Sequence, residues 1–234
     1  MTRRPLIAFV LLLATMAAPA APAGAAAIPI AHYPLLSDAL DATGLNDPMT
    51  LQNAPFQDGG VYCNGIPPSS GEGACLVETP VLAALDFGSF AISLEFKIDQ
   101  YPDESIVYRP VLVGGYSYRW MGAEVRSDGT IFLMYNNNNG LVYSDRIVTL
   151  GAWHRVVMTY DSSTQTGRLY MDGELACSAE FVIEHGNDKN LGTTNRAVEK
   201  TFLGLIREIV VYDTAFDPTP AETPTWGRLK AAFR

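Results

Sequence analysis

The chain has 234 residues, 25 acidic and 16 basic, with a formal charge of −9. That length suits one domain able to bury a core of its own. With the acidic balance and no Lys/Arg-rich stripe in the body, binding to a phosphate backbone is excluded as the main task.

Residues 1–27 have the three-part layout of a secretory signal peptide: Arg3 and Arg4, an apolar run from Leu6 to about Ala14, then small residues with A-x-A cleavage choices at Ala23/Ala25 and Ala25/Ala27. The apolar run is short of the ~20 residues a membrane span needs, so no span is expected after cleavage. "TRRPLI" also resembles a twin-arginine export motif, although the strongly apolar core favours the general route. The protein is expected to be secreted, extracellular or periplasmic. Without Arg3 and Arg4 the balance is 25 acidic to 14 basic, a formal −11, which suits solubility outside the cell.

Residues 28–216 read as one β domain. "AHYPLL" is a short run and "SDALDATGLNDP" is turn-rich. "GGVYCNG" and "ACLVETP" flank a loop of Pro, Gly and Ser, and a Cys63–Cys75 disulfide across it is the preferred pairing, worth up to ~3 kcal/mol. A bridge to Cys177, or three unpaired thiols, are the alternatives. In "FAISLEFKID", Ala91, Ser93, Glu95 and Lys97 face one way and Ile92, Leu94, Phe96 and Ile98 the other. That division predicts one core face and one accessible face. "SIVYRPVLVGG" carries Pro110, which predicts an edge or bent strand.

"RWMGAEVRSDGTIFLMYN" reverses at Asp128-Gly129 and "IFLMYNNNNGLVYSD" near Asn139-Gly140. "AWHRVVMTYDSSTQTGRLYMDGELACS" reads as a three-strand antiparallel meander. Trp153, Arg155, Val157 and Thr159 share one pleat face there, and His154, Val156, Met158 and Tyr160 the other. Asp172-Gly173 favours a two-residue type I′ turn, in which both residues take positive φ. "FLGLIREIVVYD" is the last strong strand. Short strands about ten residues apart, with no long helical run, specify an all-β fold, a sandwich or a barrel. Residues 217–234, "DPTPAETPTWGRLKAAFR", begin as an extended Thr/Pro spacer. They close on a basic-aromatic stretch, either a frayed turn packed on the domain or a detachable sorting tag.

In this order, "IAHYPLLSDALDATG", "GGVYCNG", "FAISLEFKID", "WHRVVMTYD", "GRLYMDGELA" and "FLGLIREIVVYDTAFDP" resemble the laminin G-like jelly rolls of the concanavalin A-like lectin and glucanase superfamily, which includes the pentraxins. The resemblance runs over about residues 30–218. It rests most on Trp153-His154, Leu169-Tyr170, Asp172-Gly173 and Gly204 to Asp213. It implies a two-sheet antiparallel β-sandwich, a jelly roll of two curved sheets, one of them concave. Such folds include glycan binders, protein binders, calcium carriers and enzymes, so function must come from the site.

Glucanases of this superfamily use an E-x-D-x-x-E strand motif, and the sequence has none; Glu95 to Asp99 lacks the spacing and has Lys97 between its acids. His32, His154 and His185 show no zinc spacing, and no G-x-S-x-G elbow occurs. His154 reads as a strand residue with a satisfied hydrogen bond, no catalytic residue is assigned, and the expectation is a non-enzyme. Asp38, Asp41, Asn46 and Asp47 offer hard oxygen ligands. The resemblance implies a structural calcium joining the N-terminal segment to the last strand, at Asp41 and Asp213. The alternative is an Asx-turn at Asp41 and a strand exit at Asp213.

A candidate ligand face combines Tyr116, Tyr118 and Trp120, alternating on one strand, with Arg119 and Tyr135. Its alternative is an aromatic core stripe, and Asn136 to Asn139 read as a solvated turn. The expected function is a secreted, non-catalytic module for extracellular carbohydrate. A structural or adhesive protein binding other surface proteins, and a glycan-active enzyme, are the competing classes.

Overall fold

The computed structural model describes residues 27–66, 76–78, 81, 85, 88–102, 109–112, 114–115, 121–135, 140–183, 189–190 and 203–218. Its elements are strands throughout. The first group is β1 (Pro29–Tyr33), β2 (Thr50–Gln52), β3 (Phe56–Gln57), β4 (Gly60–Asn64), β5 (Leu76–Glu78) and β6 (Phe90–Ile98). Next come β7 (Arg109–Leu112), β8 (Gly114–Gly115), β9 (Met121–Val125), β10 (Thr130–Tyr135) and β11 (Gly140–Ile147). The expected meander follows as β12 (His154–Asp161), β13 (Thr166–Met171) and β14 (Glu174–Glu180), then β15 (Lys189–Asn190) and β16 (Leu203–Tyr212).

The large sheet runs β14-β13-β12-β6-β16-β4-β3, with β1 also paired to β16, and the small sheet runs β11-β10-β9-β7. Their inner faces form one core. Ile92, Leu94, Phe96 and Ile98 of β6 and Val156, Met158 and Tyr160 of β12 cluster with Met121, Ala123 and Val125 of β9 and Ile131 and Leu133 of β10. The period-two alternation of each strand delivers those side chains to one side, so a two-layer sandwich is the way to bury them.

β16 organises the large sheet. Its first half pairs with β4 and its second half with β1, while β6 lies along its other side. The change of partner falls at Glu208, whose φ of 50° marks a bulge. Its N–H donates to Pro34 O at 3.1 Å, so the bend keeps its backbone bond. At the edge of the small sheet, β7 shifts register between Pro110 and Leu112, as a residue without an N–H requires.

The reversals divide by geometry. Asp172 and Gly173 take φ of 53° and 84°, the expected I′ pair. Asp58 and Gly59, at 49° and 77°, make a second I′ turn, between β3 and β4, which the sequence reading passed over. At Asp128-Gly129 only the glycine is positive; Gly129 N–H donates to Arg126 O at 3.0 Å, closing a longer hairpin loop. Asn139 lies outside the described residues.

One expectation is corrected. The second face of β6 is not open along its length, because Ala91 is 0% and Ser93 1% exposed. Ala91, Val210 and Tyr212 form an outer cluster under Ala27 and Phe216. Tyr212 and Phe216 meet edge-on at 4.8 Å, and Tyr170 Oη donates to Asp217 Oδ1 at 2.6 Å. The chain therefore folds back over the sheet after β16, with Phe216 and Asp217 packed against it. Among the described residues, no helix is long and apolar enough to cross a membrane.

Candidate functional site

The outer face of the large sheet, beyond the part covered by Phe216, carries the most chemistry. Arg155, Glu95 and Arg207 stand opposite one another across β12, β6 and β16. In the next row Lys97 lies opposite Leu205, and Leu205 opposite Tyr62 of β4. Trp153, one residue before β12, reaches the same face by alternation. The Arg207 guanidinium carbon stands 3.8 Å from the Trp153 ring centroid and Lys97 Nζ 5.8 Å from it. Gly60 makes room: a Cβ there would come within 3.3 Å of the Trp153 ring and 2.9 Å of Ile206 O.

Glu95 Oε2 accepts from Arg207 Nε at 2.7 Å, and both side chains are half-buried. Arg155 Nε donates to Ser93 Oγ at 3.0 Å, and Ser93 is buried, which holds the guanidinium in a set orientation. Neither Arg155 nor Lys97 has a carboxylate partner among the described residues.

His154 is fixed from both sides. Its Nε2 accepts the Thr149 N–H at 3.0 Å, so Nδ1 carries the proton and donates it to Asp172 Oδ2 at 2.8 Å. The other Asp172 oxygen accepts the Arg155 N–H at 2.8 Å. With both ring nitrogens engaged, this His-Asp pair braces the turn and the Trp153 approach, and leaves no nitrogen for a substrate proton.

Asp41 is the hub of the N-terminal loop. Its Oδ1 accepts from His32 N at 2.9 Å and Thr43 N at 3.0 Å. Its Oδ2 accepts from Thr43 Oγ1 at 2.5 Å, Asn46 N at 3.0 Å and Asn46 Nδ2 at 2.7 Å. Burial alone would raise this carboxyl. The bonds from His32, Thr43 and Asn46 outweigh it and hold the group below its ordinary value. Five donors converge on the lone pairs a cation would need, so the surroundings of Asp41 do not fit a calcium ion. Asp213 is exposed just beyond β16, and no group of three or more His, Cys, Asp or Glu suited to a metal occurs among the described residues. Protein groups join the N-terminal segment to the last strand instead. β1 pairs with β16, and buried His32 meets Glu208 through Nε2 and Oε2 at 2.9 Å.

Of the aromatic ligand face, Tyr135 lies on the inner side of β10, stacked on Phe181 at 4.2 Å and 9° and packed against the core. Alternation with Ile131 and Leu133 sends it inward. Tyr116, Tyr118, Arg119 and Trp120 lie outside the described residues, as do Cys75, His185 and the signal segment 1–26. Cys63 is buried in β4, while Cys177 is buried and free, its thiol pushed up to about 11 by burial. The outer-face group of Trp153, Arg155, Ser93, Glu95, Lys97 and Arg207 was assigned no role from the sequence. A usable signal existed, since charged residues alternate with core residues in two strands, but only the register shows that they share a row.

The family model described as the Concanavalin A-like lectin/glucanases superfamily matches residues 70–220, more than half of the chain. Among solved structures, the chain resembles domain 4 of AbnA, a GH43 extracellular arabinanase from Geobacillus stearothermophilus in complex with arabinotriose. The TM-score is 0.58 at 17% identity, over 89% of this chain and 99% of that one. Trypanosoma rangeli sialidase in complex with sialic acid gives a TM-score of 0.62 at 16% identity, over 94% of this chain and 36% of that one. The chain thus spans about a third of the sialidase. At these identities the likeness is one of fold. No curated protein matches the chain.

Proposed function

We propose, for a chain that belongs to the concanavalin A-like lectin/glucanases superfamily, that it is an exported, non-catalytic module binding extracellular carbohydrate. The outer face of the large sheet carries this reading: Trp153 and Tyr62 lie on it beside Arg155, Lys97, Glu95 and Arg207, all half-buried rather than sealed in the core. Sugars offer C–H faces to aromatic rings and hydroxyls to such polar heads. Glycoside cleavage would need two carboxyl groups flanking the bond, about 5–9.5 Å apart. Glu95, in the middle of this face, is held by Arg207, and His154 is closed on both sides.

Removal of residues 1–27 on export and a Cys63–Cys75 bridge belong to the same proposal. With Cys177 free, Cys75 is the partner left for Cys63. Domain 4 of the arabinanase, alike in fold, was solved with arabinotriose, which makes that sugar the first probe. Calorimetric titration of arabinotriose and a broad oligosaccharide panel is expected to show binding that Trp153→Ala abolishes while the far-ultraviolet spectrum stays that of a β protein. Parallel Trp120→Ala titrations examine the aromatic stripe at residues 116–120. Silence across the panel, or release of reducing ends from any member, refutes the proposal.

A further inference from the structure

We infer that the carbohydrate taken by the outer face carries a carboxylate, as a uronic-acid unit does; this deepens the binding function proposed above and rests on it. Arg155, Glu95 and Lys97 stand on one pleat face, with Arg155 directly opposite Glu95 and Lys97 Nζ 5.8 Å from the Trp153 ring centroid. Arg155 and Lys97 are thus diagonal neighbours, about 7–8 Å apart at the backbone; the Arg155 guanidinium leans toward Ser93, on the far side of Glu95 from Lys97, so each cation offers a contact of its own.

Both are half-buried and neither meets a carboxylate among the described residues. A cation drawn partly out of water without a counter-ion gains when a ligand supplies one. The charged groups facing this spot favour that outcome. Glu95 is drawn away toward β16 by Arg207 at 2.7 Å. Asp172, at the rim, spends its oxygens on the His154 ring and the Arg155 N–H. Lys97, Arg155 and Arg207 against Glu95 leave a local excess of positive charge on a chain whose formal charge is −9. At physiological ionic strength the screening length is about 8 Å, so distant acids of the chain count for little and groups in contact decide.

The site is also set in advance. Arg155 Nε is anchored on buried Ser93, which leaves its terminal nitrogens to meet a planar carboxylate two-point fashion. The Trp153 ring, with the Arg207 guanidinium over one face at 3.8 Å, leaves its other face as the apolar surface for the sugar ring.

The experiment compares three probes on the full chain: trigalacturonate, its methyl ester (the same sugar without charge) and neutral arabinotriose. Trigalacturonate is expected to bind at least about tenfold more tightly than its ester, with an affinity that falls as sodium chloride is raised. Arg155→Gln and Lys97→Gln are each expected to cost the acid form about tenfold or more. The acid-versus-ester comparison needs no variant, so a substitution that misfolds leaves the test intact. Equal, salt-insensitive binding of acid and ester overturns this inference and leaves the carbohydrate-binding module standing. Binding of none of the three probes, nor of any other panel sugar, overturns both.

Discussion

Asp41→Asn tests the physical account of the N-terminal loop. The substitution keeps the shape of the side chain, removes its charge and turns one acceptor oxygen into an N–H₂ group. Five donors from His32, Thr43 and Asn46 now point at that carboxylate. Asparagine can accept from those on one side only and must set its own protons against the rest. Hydrogen bonds to a charged acceptor contribute about 1.5–3 kcal/mol each, and water replaces part of that where a donor is accessible. The His32 N–H is buried, and the other donors are partly so. A net loss of about 3 kcal/mol follows, seen in urea as a midpoint lower by about 1 M.

The pH dependence gives a second, independent reading. The carboxyl is held below its ordinary value of 3.8. Its contribution is therefore complete above that value and is lost as pH falls through the lower, folded one. The gap between native protein and variant should hold from neutral pH to about pH 5, then close in stronger acid. A gap under about 1 kcal/mol at neutral pH, or one that persists unchanged in strong acid, refutes the reasoning. The same melts with millimolar calcium and with chelator should coincide. A calcium-dependent rise that Asp41→Asn abolishes would restore a cation to this loop.

Gly204→Ala should cost about 3–5 kcal/mol in urea unfolding. Its φ is 146° and a Cβ would fall 2.0 Å from Lys97 O, forcing β16 and β6 apart beneath the candidate site; a loss below about 1 kcal/mol would contradict that geometry. Tyr170→Phe removes the 2.6 Å bond to Asp217 and should cost about 1–2 kcal/mol while speeding amide exchange in residues 213–218. Unchanged exchange there would mean the segment is held by Phe216 and by the Arg168–Asp217 ion pair at 3.8 Å. Cys177, buried and raised to about 11, should resist thiol reagents until the protein unfolds. Peptide mapping without reduction should recover Cys63 joined to Cys75, and a bridge to Cys177 would contradict both.

Several features were legible because they depend on neighbours in sequence. The alternation of Ile92, Leu94, Phe96 and Ile98 needs only a pleat to become a core face, and the inner cluster contains all four. Asp172-Gly173 carries its turn type in two residues, and its backbone angles agree. Asp58-Gly59 had the same signature and was overlooked, since its flanking runs are too short to advertise strands. For Tyr135 the sequence leaves a core stripe and a ligand face both open, because aromatic residues suit the two equally well. Which side of β10 it occupies depends on a partner sheet that lies far away in sequence.

By itself, the sequence determined that the chain would be layered β-structure, where it would turn and which residues would alternate, because strand period and turn chemistry are local properties of the backbone. Tertiary structure alone decided which alternating faces became one surface. Arg155, Glu95 and Arg207 come from three strands spread over more than a hundred positions, and only the antiparallel register sets them in a row. The return of Phe216 over β6 likewise decides how much of that face stays open. Long-range pairing, which no short stretch encodes, makes the site.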